Sequence, residues 1–104
     1  MSRVTNLILC EHESVGGHEC LPIEPINRFL AGRHSEFCKV DKYAGGSKFM
    51  EIGVWVAAVN YLGSEEDLIR VVREQTWEFP EHVQLFIKQQ EEDGFRIAID
   101  GADQ

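Results

Sequence analysis

Apolar and polar residues alternate along most of this chain, and the alternation gives way to a helical period in two places. The longest apolar run is FMEIGVWVAAVNYL, Phe49 to Leu62. Successive side chains of a strand point to opposite faces. One side of this run therefore carries Met50, Ile52, Val54, Val56 and Ala58, with no charge among them. The other carries Phe49, Glu51, Gly53, Trp55, Ala57, Val59 and Tyr61. β-Branched and aromatic residues dominate, which predicts the central strand of a sheet. The uncharged side is expected to lie under helices. The mixed side is expected to stay open, with Trp55 offered to a partner or a stacked ligand.

The same pattern sets the remaining elements. Arg3–Cys10 reads as the first strand, partly apolar on both sides, as a central position requires. Glu11–Cys20 is polar and glycine-containing, and reads as a loop. Leu21–Ala31 reads as a helix, with Pro25 in its first turn, a stripe of Ile26, Phe29 and Leu30, and Gly32 as its stop. Ser35–Lys42 reads as a second strand. Ser64–Gln75 is a second helix: Ser64 and Asp67 resemble a capping box, acids fill the first turn, and Leu68, Val71 and Val72 form the stripe. Glu66 and Arg70 stand four apart, the spacing of a helical ion pair. Trp77 and Phe79 are expected to close the end of the core.

His82–Gln89 reads as a strand, with Val83, Leu85 and Ile87 on one side and Gln84, Phe86 and Lys88 on the other. Asp93-Gly94 marks a hairpin turn. Its returning arm, Phe95–Ile99, puts Phe95, Ile97 and Ile99 on one face. The order is βαββαββ, so the fold class is α+β, a single two-layer domain over residues 1–104. Its βαββαβ portion resembles the ferredoxin-like arrangement, with an added C-terminal hairpin strand. That arrangement hosts many unrelated activities and brings no function with it.

Charge changes this picture more than composition does. The net charge is −8. Residues 1–64 hold seven acids against six Lys and Arg, whereas residues 65–104 hold eleven against four. Such a surface disfavours duplex nucleic acid and anionic membranes and favours a basic protein partner. No apolar run reaches membrane-spanning length, and no signal-like segment opens the sequence. Three cysteines in such a chain read as reduced thiols, so a cytoplasmic protein is expected.

Three sets of residues can carry function. Glu65, Glu66, Glu74, Glu91, Glu92 and Asp93, with Trp55 or Trp77 as aromatic anchor, would steer and hold a basic partner. This is the leading expectation: a small acidic, non-catalytic binding protein that inhibits or neutralises its target, of the immunity or anti-defence type. The alternative is a binder of a phosphorylated small molecule or signalling nucleotide. It uses Lys42, Tyr43, Gly45, Gly46, Ser47, Lys48 and Arg33, where adjacent glycines can form an anion-binding nest inside a basic island. The Walker spacing is absent there, and a homodimer building the pocket at its interface is compatible with it. The third set is Cys10, His12, His18 and Cys20, whose C-x-H and H-x-C pairs would suit zinc. No cofactor is expected otherwise. No motif surrounds a cysteine–histidine pair in the manner of a nucleophilic enzyme, so no catalytic residue is assigned.

Overall fold

A computed structural model describes residues 4–12, 23–40, 52–60 and 62–102. Seven main elements follow in chain order: β1 (Val4–His12), α1 (Ile23–Ala31), β2 (Cys38–Lys39), β3 (Ile52–Asn60), α2 (Glu65–Glu74), β4 (Gln84–Gln89) and β5 (Arg96–Asp100). A single 3₁₀ turn, Pro80–His82, leads into β4. Over the described residues the protein is thus a small α+β domain with one five-stranded sheet and two helices, in strand order β2-β3-β1-β4-β5. Every neighbouring pair is antiparallel.

The helices share one side of the sheet. Ile23, Ile26 and Leu30 of α1 and Leu68 and Val72 of α2 are buried against Leu7 and Leu9 of β1, Val59 of β3, Leu85 and Ile87 of β4, and Ile99 of β5. Burying the three α1 side chains alone contributes roughly 5–9 kcal/mol gross, before chain entropy is subtracted. Val83, Leu85 and Ile87 lie on the buried side, as the alternation predicts.

The faces of β3 are the reverse of the expectation. Gly53, Trp55, Ala57 and Val59 lie on the helix side, while Ile52, Val56 and Ala58 are exposed on the other. The reason lies in β1. His12 pairs with Ile52 and Glu11 with Gly53, so the face that buries Leu7 and Leu9 also buries Glu11, at 2% exposure. Gly53 provides the room, because a Cβ there would stand 2.7 Å from a carboxylate oxygen of Glu11. The indole N–H of Trp55 donates to that carboxylate at 3.4 Å. Glu11 and His12 are therefore strand residues and not the start of a loop.

Two local signals also resolve differently. The end of α1 is set by His34 rather than Gly32. His34 sits at φ 58°, and the bonds from its N–H to Ala31 and from the Ser35 N–H to Leu30 complete a Schellman-type ending. Ser64 precedes α2 without bonding a backbone N–H; its hydroxyl instead donates to Asp67 at 2.6 Å. Arg70 pairs with Asp67 and Glu74, not with Glu66.

Candidate binding surface on the uncovered sheet face

No described helix lies over the second side of the sheet. Alternation along β1 puts Asn6, Ile8, Cys10 and His12 there, and the strand register sets them beside Ala58, Val56, Val54 and Ile52 of β3. On the other flank, Asn6, Ile8 and Cys10 lie opposite Lys88, Phe86 and Gln84 of β4. The register between β4 and β5 jumps at Leu85/Phe86, so Leu85 meets Ile99 but Phe86 meets Ile97. This bulge overturns the expectation that Ile97 and Ile99 share a face. Ile99 is buried under the helices while Ile97, 56% exposed, turns to the uncovered side. Phe95 is 46% exposed and lines the same face.

The result is a surface with an apolar middle and a polar end. A groove of about 510 Å³ runs along the middle between Asn6, Ile8, Glu36, Cys38, Val56 and Phe95. At the end where β1 finishes and the 3₁₀ turn enters, a smaller cleft of about 210 Å³ lies between Cys10, Glu11, His12, Ile52, Glu81, His82, Gln84 and Asp100. Glu36, Glu81 and Asp100 are exposed acids beside these two hollows. Lys88, the cation on this face among the described residues, folds back to the carbonyls of Gln89 and Gln90 at 3.3 and 3.4 Å.

Glu65, Glu74 and Glu92, three of the acids singled out from the sequence, are engaged in ion pairs. Arg96 donates to Glu65 at 2.7 Å and to Glu92 at 2.6 and 3.0 Å. Gln89 donates to Glu65 through its side chain and to Glu92 through its backbone. Arg96 holds both carboxyls below the usual glutamate range, and they in turn hold its guanidinium above its ordinary value. Asp67 is lowered chiefly by the Ser64 hydroxyl. Glu65 and Glu92 thus tie α2 to the β4–β5 hairpin. Glu74 reaches Arg70 at 3.8 Å, and Glu66, Glu91 and Asp93 are exposed on the surface.

Neither tryptophan is a free anchor. Trp77 is 7% exposed and donates its indole N–H to the Val72 carbonyl at 2.9 Å, closing the core. Trp55 is half-buried on the helix side with Lys39 over its ring at 5.6 Å. Arg33 stands 5.5 Å from the Phe29 ring centroid. Lys42, Tyr43, Gly45, Gly46, Ser47 and Lys48 lie outside the described residues, as do His18 and Cys20.

Cys10 and His12 do share one face, as their i, i+2 spacing requires. Among the described residues, no group of three or more His, Cys, Asp and Glu is arranged to hold a metal. Burial, and secondarily the charge of Glu11, pushes the Cys10 thiol up, which keeps it protonated and poorly nucleophilic. His12 has its ring edge-on to Phe79, with centroids 4.9 Å apart, and 5.3 Å from His82.

The sequence reading missed Ile52, Val56, Phe95 and Ile97 as a surface, and it missed His82, Glu81 and Asp100 as neighbours of His12. One signal was present: Gln84, Phe86 and Lys88 alternate with buried residues, marking a half-polar strand face that helices would not cover. No protein-family model, curated protein or solved structure matches the chain. Among the described residues no helix is long and apolar enough to cross a membrane.

Proposed function

We propose that this chain is a small non-catalytic binding domain that engages a basic macromolecular partner through the uncovered face of its sheet, and so inhibits or neutralises that partner. We read the sheet order as a ferredoxin-like arrangement extended by β5. The observation that carries the function is the composition of the uncovered face: Ile8, Val54, Val56, Phe86, Phe95 and Ile97 in the middle, with Glu36, Glu81 and Asp100 around them.

Scale favours a macromolecule. Strands about 4.8 Å apart, and up to nine residues long, make a face of roughly 20 by 30 Å, or about 600 Å². A standard interface occupies about 800 Å² on each partner. Charge favours a basic one: a second copy would set the same acidic rim against itself in a chain already at −8, whereas a basic partner gains in both encounter rate and register. The protonated Cys10 thiol speaks against cysteine nucleophilic chemistry in the cleft beside it. The phosphorylated-ligand alternative draws on residues 42–48, outside the described residues, and Arg33 is engaged with Phe29.

The test is charge reversal. Glu36→Lys with Asp100→Lys is compared with Glu66→Lys on α2 for capture of proteins from the native lysate. The proposal expects a basic protein whose capture falls with added salt, fails with the first variant and survives the second. Capture that is indifferent to Glu36 and Asp100 removes it.

A further inference from the structure

The cleft at the polar end of the sheet face has a chemistry of its own. We infer that it receives an arginine side chain of the basic partner. The inference rests on the binding reading above and names the contact that would specify the partner.

Four features converge there. The cleft, about 210 Å³, holds the equivalent of about seven waters at roughly 30 Å³ each, room for a guanidinium group and part of its stem. Its acidic lining residues are Glu11, whose carboxylate turns to the helix side and accepts from Trp55, and Glu81 and Asp100, whose side chains are exposed; no Lys or Arg lines it among the described residues. Gln84 donates to one oxygen of Asp100 at 3.1 Å and so fixes how that carboxylate is presented. His12 Nδ1 is buried, with no hydrogen-bond partner among the described residues. A neutral imidazole has one acceptor nitrogen, and a turn of the His12 ring would bring that nitrogen to an incoming N–H donor.

Shape selects arginine over lysine. The rings of His12 and His82 lie against each other, 5.3 Å apart and tilted by 35°, too close to admit a group between them, but the exposed His82 ring offers a flat outer face on which a planar guanidinium can stack. An ammonium is a hydrated point charge that gains little from such a face. The guanidinium offers five donors in a plane, enough to reach a carboxylate in bidentate fashion and an imidazole together. Ile52, 47% exposed at the cleft wall, covers the methylene stem. The adjoining apolar groove then takes the residues that flank the arginine.

The test uses the isolated full chain and a small probe. N-acetyl-arginine amide is titrated while the side-chain NMR signals of His12, His82 and Gln84 are followed. N-acetyl-citrulline amide, the neutral isostere, and N-acetyl-lysine amide are run beside it. Saturable shifts of these three residues at millimolar probe are expected, the range for one isolated contact. Citrulline should give no saturation and lysine should bind more weakly. Glu81→Gln with Asp100→Asn, both exposed and near-isosteric, should weaken arginine binding by at least about ten-fold. Absent saturation or an equal response to citrulline would each overturn the inference. Such a failure leaves the wider sheet-face proposal standing, because that proposal is tested by partner capture and not by this probe.

Discussion

Thr5→Val is the sharpest stability test of how this domain is tied together. Thr5 is fully buried and its hydroxyl serves two partners: it donates to Gln89 Oε1 at 2.5 Å and accepts the Leu62 N–H at 3.0 Å. Gln89 also donates to the Leu62 carbonyl at 3.2 Å and to Glu65 at 2.7 Å. One hydroxyl thereby links β1, β4 and the approach to α2. Valine has nearly the same shape but no polar atom. It leaves the Leu62 N–H unsatisfied at a residue with no exposure, which costs about 1–3 kcal/mol, and strands the Gln89 oxygen for a further ~1–2 kcal/mol. The methyl that replaces the hydroxyl offsets about 0.8 kcal/mol. The net loss is roughly 1–4 kcal/mol, a large fraction of the ~5–15 kcal/mol a domain has in total. At about 4–8 °C per kcal/mol, the melting temperature falls by roughly 5–30 °C. Urea unfolding and calorimetry of wild type, Thr5→Val and Thr5→Ser measure this. Serine keeps the hydroxyl and should lose about 1 kcal/mol or less. If valine lies within about 0.5 kcal/mol of wild type, or above serine, the network is not what joins these elements.

Three further outcomes follow from the same geometry. Arg96→Ala frees Glu65, whose carboxyl Arg96 holds low in the folded state. A lowered folded pKa gives stability that is present above the unfolded value of about 4.3 and is lost as pH falls through the folded value. The acid-side decline in urea midpoint should therefore be shallower in the variant, and parallel declines would refute the assignment. His34→Gly removes the cost of a side chain at φ 58° and should stabilise by about 0.5–1 kcal/mol in thermal melts, whereas no gain would mean that the side chain compensates for its backbone. Gly53→Ala drives a Cβ to within 2.7 Å of the Glu11 carboxylate; a loss of about 1–3 kcal/mol with altered Trp55 fluorescence is expected, and an unchanged spectrum would count against the Glu11–Trp55 contact.

How legible this molecule was depended on whether a residue's role was local or long-range. The amphipathic stripe of α2, the Val83-Leu85-Ile87 side of β4 and the Asp93-Gly94 hairpin are periodic or short-range signals, and they led to the observed elements. The faces of β3 did not follow, because an uncharged side was equated with a buried one. Burial was decided by β1, where Leu7, Leu9 and Glu11 share a side, and by a glycine socket opposite Glu11 that no alternation rule anticipates. Charge misled in a related way. Glu65 and Glu92 look like free acids in one dimension, but Arg96, 31 and four residues away, bonds to both. The cleft joins His12 to His82 across 70 positions of chain, and only the meeting of β1 with the 3₁₀ turn brings them together. Ile97 needed the β4–β5 bulge, a register shift that leaves no mark in hydropathy.

The claim on which the functional reading depends is that the uncovered face of the sheet is the working surface. Its most direct measurement is the affinity of the captured partner for wild type and for the variant carrying Phe95→Ser and Ile97→Lys, two side chains that are 46% and 56% exposed and lie on that face. Binding weaker by at least about ten-fold, an unchanged melting temperature and a monomeric mass in both forms by light scattering are expected. Unchanged affinity, or a wild-type dimer that these substitutions dissociate, would contradict that claim.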